Sequence, residues 1–314
     1  MGDPDRVRLH LDTDLGGDPD DACALALLLG WPGVELTGIT TSIDPGGWRA
    51  AYAEHVLQLA GRAGVPVVPG AERSSSHDRI AEPDHGLWPA GLTPAPTQPG
   101  AATALLRQSI DAGAVVVSIG PYTNLAALGC ELSGVPVTVM GGWVDPPRAG
   151  LPPWGPERDF NVQWDVRAAQ TVAAYADLTL VTLPAALQAP LRRADLARLR
   201  AGGALGELLA AQSEAHAVDS GKTGLGPAYD GLPDDLLNFH YDPVACAVAL
   251  GWSGATVETE SLTTGIHDGA LHWRRDARGR LTRVVTAVDG PAFTEAWLSA
   301  VEHSRSTSRT RSAD

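Results

Sequence analysis

LHLDTDLGGDPDDACALALLL, residues 9–29, is the stretch on which the reading of this chain turns. VRLHLDTD (7–14) is a short, β-branched and leucine-rich run that reads as a strand. ACALALLLG (22–30) reads as an apolar helix closed by a glycine. Between and beside them stand five aspartates, Asp12, Asp14, Asp18, Asp20 and Asp21. A strand that turns directly into a helix opens a βα unit. In open α/β sheets, ligands bind beyond the carboxyl ends of the strands. The aspartates therefore lie where such a sheet keeps its site.

The alternation continues outward from this stretch. Strand-like runs follow at VELTGIT (34–40), VPVVPG (65–70), AVVVSIG (114–120), VPVTVMGG (135–142) and LTLVTLP (178–184). Helical periodicity falls between them, at 47–64, 103–113, 123–132 and 166–176. A Leu- and Ala-rich helical region reaches about 217, and another helix is predicted at 242–251. TVETESLTT, GALHWRR and LTRVVTAVD read as late strands, and PAFTEAWLSAVEHS as a last helix. Residues 71–100 are rich in Pro, Gly and Ser and read as a long loop or flap. The polar end, 305–314, is expected to be disordered. The pattern predicts an α/β fold with a mostly parallel central sheet and helices on both faces, in a single domain over 1–304.

Composition narrows the function. A net charge of −14 argues against a nucleic-acid backbone as partner but not against a small neutral substrate. Cys23, Cys130 and Cys246 are odd in number and far apart, which fits a reducing compartment better than a disulfide framework. With no secretory core and no apolar run long enough to span a membrane, a soluble cytoplasmic protein is expected.

Adjacent carboxylates repel one another unless protons or a cation relieve them. Capping of the helix at 22–29 can use one or two aspartates, not five. An EF-hand loop starting at Asp12 fails, because its twelfth position is Cys23 rather than Glu. A merely solvated turn is a poor fit to aspartates that follow straight out of an apolar strand. A hard divalent cation held by carboxylate oxygens accounts for the whole cluster.

LDTDLGGDPDDACALALLL also resembles the N-terminal signature of the nucleoside hydrolases, the inosine–uridine-preferring N-ribohydrolases, whose usual form is D-T-D-P-G-x-D-D-A. Two extra residues stand here between the glycine and Asp-Asp-Ala. Later segments resemble the family in the same order: SIGPYTNLA (118–126), VTVMGG (137–142), RDFNVQWDVRAAQTV (158–172) and HYDPVACAVAL (240–250). The resemblance implies a Rossmann-like sheet, a bound Ca²⁺, and hydrolysis of the N-glycosidic bond of a ribonucleoside through an oxocarbenium-like transition state. It implies that Asp14 binds the metal and is the general base on its water, with Asp21, Asp242 and the carbonyl of Ile119 as further ligands. Asp20 would accept from the ribose 2′-hydroxyl, Asp159 and Asn161 would hold the sugar, and Asp12 would support the ligands. Asp18 rivals Asp20, because the insertion leaves both near the expected place. By analogy the protein would be a dimer or tetramer acting on a small nucleoside-like molecule.

The chain departs from the family pattern around the sugar. Tyr241 stands where the usual His of His-Asp-Pro would be, with His240 one residue earlier, so the acid for the leaving base is Tyr241, His240 or neither. Asp44 or Pro45 falls near an Asn that normally touches ribose, and Asp159 replaces a Glu. Trp154, Trp143 and Trp88 lie in loops near the expected pocket, each a candidate to stack on the base or simply to pack. Two other functions fit parts of the sequence. One is a non-catalytic ribose-binding relative that keeps the metal. The other is a haloacid dehalogenase-type phosphatase, with Asp12–Asp14 as its D-x-D and Lys222, the only lysine, as its basic residue.

Overall fold

The computed structural model describes residues 6–77, 80 and 88–310. Strand β1 (Val7–Thr13) leads to helix α1 (Asp20–Gly30), β2 (Val34–Thr41), α2 (Trp48–Leu59) and β3 (Val67–Pro69). Then come α3 (Ala101–Asp111), β4 (Val115–Ser118), α4 (Thr123–Ala126), β5 (Pro136–Met140), α5 (Phe160–Trp164), α6 (Val166–Tyr175) and β6 (Asp177–Val181). A smaller group follows: α7 (Leu183–Ala186), β7 (Pro190–Arg192), α8 (Leu196–Ala201), α9 (Ala204–Asp219), α10 (Leu225–Ala228) and β8 (Leu236–Phe239). The chain ends with α11 (Tyr241–Ala249), β9 (Ala255–His267), β10 (Ala270–Arg275), β11 (Arg280–Val288) and α12 (Gly290–Thr310).

Nine strands form one sheet in the order β10-β9-β11-β6-β5-β4-β1-β2-β3. From β3 to β11 all neighbours are parallel, and at the edge β9 alone runs the other way, pairing antiparallel with both β11 and β10. The predicted mostly parallel α/β sheet is therefore observed. The chain winds from β1 toward β3 on one side and from β4 toward β6 on the other. The winding reverses between β1 and β4, which opens a crevice beyond their carboxyl ends. Asp14 and Ile119 are the first residues past those two ends.

After its two opening aspartates, helix α1 is apolar on every face, so it can only be stable fully enclosed. All of Asp20–Leu29 is buried, with α11 and α12 packed against it. Gly30 ends the helix where a Cβ would meet the Ala300 carbonyl at 1.7 Å, so α12 crosses too closely for any side chain. The indole of Trp297 donates to the Cys23 carbonyl at 3.1 Å, which satisfies its polar atom within the core.

Three details differ from the sequence reading. The helix expected at 123–132 stops at Ala126 and resumes as a single tight turn over Gly129–Leu132, with Gly129 at φ +53° between them. Strands β7 and β8 pair into a separate two-stranded sheet inside the region read as helix and loop. Their three or four residues are too few to show a period. Helix α12 continues to Thr310, into the segment read as disordered; 311–314 lie outside the described residues. Among the described residues of 71–100 there is no helix or strand, as expected for a loop; 78, 79 and 81–87 lie outside them. No described helix is long and apolar enough to cross a membrane.

Candidate functional site

The crevice holds a cleft of about 480 Å³, lined on one side by the β1–α1 turn. Gly16 and Gly17 lie at φ +107° and +101°, a region closed to most side chains, and let the turn fold back on itself. Arg49, near the start of α2, clamps that turn. Its guanidinium donates to the carbonyls of Asp14, Leu15 (3.2 Å) and Gly16 (2.7 Å), and its Nε to the carbonyl of Ile43 (2.8 Å). Asp12 is wholly buried. It accepts from Thr40 Oγ1 (2.6 Å), Asn124 Nδ2 (2.8 Å) and Ser118 Oγ (3.2 Å), tying β1 to its neighbours on both sides. It does not line the cleft itself. Burial pushes its pKa up to about 7.

The carboxylates of Asp20, Asp21 and Asp242 converge, each offering an oxygen within 4.8 Å of the others, and all three are buried. Asp20 and Asp21 open α1, and Asp242 sits in the first turn of α11. Burial, and then the charge of neighbouring aspartates, drives all three pKa values well above the ordinary range. Among the described residues no Lys or Arg forms an ion pair with any of them. Thr13 Oγ1 donates to Asp21, and this is their only neutral relief of that kind from β1. Three ionised carboxylates in such a space call for a compact cation, and an all-oxygen set suits a hard divalent ion. The donor set therefore fits the expected metal. Asp14 lines the same cleft outside this triad; burial raises its pKa to about 6, against the pull of Arg49.

Asp18 takes a different part. Its carboxylate pairs with Lys222 Nζ (2.9 Å) and His216 Nε2 (3.2 Å) and accepts from the Asn238 amide. Burial opposes its ionisation, but Lys222 and His216 outweigh burial and hold its pKa far below the usual carboxylate range. The inserted aspartate is satisfied by its own partners, while Asp20 joins Asp21 and Asp242. This pairing also removes the phosphatase reading: Lys222 serves Asp18, and Asp12 is enclosed by hydroxyls and an amide.

The opposite side of the cleft comes from β5, α5 and α11. Asp159 caps α5, accepting from the amides of Gly142 and Val162 (3.3 Å to the latter); burial lifts its pKa to about 6. Asn161 Nδ2 donates to the carbonyls of Ile119 (2.8 Å) and Met140 (3.1 Å), which fixes it at the sheet's edge. Trp154 and Tyr241 both line the cleft. Burial and the nearby Asp18, Asp20 and Asp242 push the Tyr241 phenol well above 10, so it stays a donor.

Several expected residues lie elsewhere. Asp44 does not line the cleft. It is fully buried and accepts from Thr41 Oγ1 (2.7 Å) and the amides of Arg49 (2.8 Å) and Ala50 (3.0 Å), because the free N–H groups at the start of α2 need an acceptor. His240 packs into the core against Trp297 (4.4 Å between rings) and Phe293 (5.3 Å), where burial lowers its pKa to about 3. Trp143 donates to the Trp154 carbonyl at 3.0 Å, and Trp88 packs on Tyr52 with ring centroids 5.3 Å apart; neither lines the cleft. Sequence reasoning missed Arg49 and Arg158 as cleft residues. Arg158 stands beside a quoted motif and was open to notice; Arg49 has no local signal, since its target is a turn 33 residues away in sequence.

A family model described as inosine-uridine preferring nucleoside hydrolase matches residues 9–295. The chain is 33% identical over 211 residues to a pyrimidine-specific ribonucleoside hydrolase, RihA, of Shewanella sp. (strain MR-7), covering 61% of this chain and 63% of that protein. Similarity to the RihA of Enterobacter sp. (strain 638) is 32% over 216 residues, covering 62% and 65%. The chain thus spans less than two thirds of the length of these relatives. Among solved structures, a purine-preferring ribonucleoside hydrolase from Gardnerella vaginalis superposes with a TM-score of 0.77 at 22% identity, covering 95% of this chain and 99% of that one. A plant nucleoside hydrolase gives 0.76 at 22%, covering 94% and 99%. At that identity the structural likeness speaks for the fold.

Proposed function

The chain belongs to the inosine-uridine preferring nucleoside hydrolase family, and from that premise we propose that it hydrolyses the N-glycosidic bond of a ribonucleoside or a related ribosyl compound, releasing base and ribose, with Ca²⁺ as its cofactor. The observation that carries this is the buried Asp20–Asp21–Asp242 triad at the switch point of the sheet, three acids to which no side-chain cation among the described residues is paired. Asp21 and Asp242, with the carbonyl of Ile119 and Asp14 at the margin, are the residues to hold the ion. When bound, Ca²⁺ supplies Lewis acidity and a fixed point for two vicinal sugar hydroxyls.

The chain's own groups do the rest. Asp14, with a pKa of about 6, is ionised at neutral pH and takes the proton of the attacking water at its carboxylate. Asp20 accepts from the 2′-hydroxyl, and Asp242 faces the 3′-hydroxyl. Asn161 spends its amide on two backbone carbonyls, so its Oδ1 is the atom left for a sugar hydroxyl. Asp159 is held by two amides, which makes it a rigid acceptor on the same side. As the bond breaks, positive charge spreads over the sugar, and the surrounding carboxylates stabilise it. Trp154 and Tyr241 form the wall for the leaving base.

This reading takes residues 1–304 as one catalytic unit. Three unpaired cysteines favour a reducing compartment, the cytoplasm. Assembly as a dimer or tetramer rests on analogy with the family. The test is a panel of uridine, cytidine, inosine and adenosine with Ca²⁺, read by release of reducing sugar. Ribose equal to free base supports the hydrolase. Saturable binding of a nucleoside with no sugar released would establish the non-catalytic relative instead.

A further inference from the structure

The wall that faces the leaving base carries two cations. Trp154 and Tyr241 both rest on Phe239, with ring centroids 6.1 Å and 5.4 Å from it. The Arg158 guanidinium lies 5.7 Å from the Trp154 ring, and Lys222 Nζ lies 5.1 Å from the Tyr241 ring. The two cations are not equivalent. Lys222 is engaged by Asp18 and Asn238. Arg158 lines the cleft, is exposed, and among the described residues has no carboxylate within ion-pair distance.

The backbone on either side of Arg158 is held in place. Its loop is pinned by the Trp143 indole on the Trp154 carbonyl (3.0 Å) and by Gln163 Nε2 on the Pro156 carbonyl (3.1 Å). Gln163 in turn donates to the Leu271 carbonyl (2.9 Å), so the loop is fastened to β10. A charge carried on a fastened loop needs less reorganisation when charge develops beside it.

The cleft offers little acid to a departing base. Among the described residues no histidine lines it: His240 is in the core, and His216 is paired with Asp18. The hydroxyl-bearing ring of the wall, Tyr241, lies against Phe239 and the Lys222 ammonium. A base departing along this wall therefore meets the Arg158 cation rather than an imidazole acid.

We propose that Arg158 is a leaving-group residue. Its guanidinium, lying over Trp154, stabilises the negative charge that builds on the base as the C1′–N bond breaks, and so selects bases that depart as anions. The inference rests on the hydrolase reading above. In balance, the glycosidic electron pair leaves with the base nitrogen, and water gives its oxygen to C1′. One water proton passes to Asp14 and then to solvent, and the released base anion takes a proton from solvent. The favoured substrates are ribosides of heterocycles with an acidic ring N–H, of the uracil type. Adenine-type bases, which need protonation to leave, are disfavoured.

The experiment compares wild type, Arg158→Gln and Arg158→Lys on uridine and on p-nitrophenyl β-D-ribofuranoside, whose phenolate leaves readily without help. Arg158→Gln is expected to lower kcat/KM on uridine by about tenfold or more, the worth of one charge-assisted hydrogen bond. On the nitrophenyl riboside the loss should stay within about twofold, and Arg158→Lys should recover part of the uridine rate. Equal losses on both substrates, or no loss on either, overturn the proposal while leaving the hydrolase reading intact. A wild type that cleaves neither riboside takes down both readings. Arg158 is exposed, so an unchanged thermal midpoint is the expected control.

Discussion

Asp12, within β1, and Asp14, just past its end, are two positions apart and have opposite environments. Asp12 accepts three hydrogen bonds from Thr40, Ser118 and Asn124 and sees no cleft. Asp14 lines the cleft, and its side chain is charged beside an arginine that is occupied with backbone carbonyls. That difference is the ground for proposing Asp14, not Asp12, as the base. Asp14→Asn keeps the shape and removes the base, so kcat should fall by about 100-fold or more with the thermal midpoint unchanged or slightly raised. A steady-state rate within a factor of about three of wild type would clear Asp14 of the role. Asp44 teaches the opposite lesson. Its position in the sequence suggested a sugar contact, yet the first amides of α2 claim both of its oxygens.

The β1–α1 turn and α2 work as a pair. The two-residue insertion lengthens the turn, Gly16 and Gly17 fold it, and a Cβ on Gly16 would strike the Trp88 ring at 2.2 Å. Asp44 fixes the start of α2, and the second residue of that helix, Arg49, reaches back to hold three carbonyls of the turn. On the far side, Asp18 ties the same turn to Lys222 after α9. The turn is therefore gripped from two elements, and the triad inherits that rigidity. Arg49→Met strands buried carbonyls and should cost about 2–3 kcal/mol of stability, read as a lowered urea midpoint. It should also weaken Ca²⁺ binding by calorimetry, because the turn carrying Asp14 and leading into Asp20 and Asp21 loosens. Unchanged calcium affinity alongside the lost stability would separate the clamp from the site.

Over the whole molecule, the buried acids make stability depend on pH and, on the proposed reading, on metal as well. Asp12 is raised from 3.8 to about 7 and Asp159 from 3.8 to about 6, both through burial. Such groups keep their protons in the folded state at a pH where the unfolded chain has lost them. Their contribution is fully present below pH 3.8 and is lost as pH rises through about 6 to 7. The triad shifts in the same direction, while Asp18, held down by Lys222, pulls the other way only at low pH. The metal-free protein should therefore melt at a lower temperature at pH 7.5 than at pH 5. Calcium should raise the midpoint most at the higher pH, and a midpoint indifferent to calcium at pH 7.5 would contradict the metal site. The alternating strands and helices, the aspartate turn and the order of motifs were all legible in the linear chain, because periodicity and local charge are properties of neighbours in sequence. What folding alone decided was which acids meet. Asp242 reaches Asp20 and Asp21 only because β8 and α11 deliver it to the β1–β4 crevice. Arg49, Lys222 and Arg158 gained their parts in the same way, since an arginine or lysine finds its partner across space, and no spacing in the chain encodes that distance.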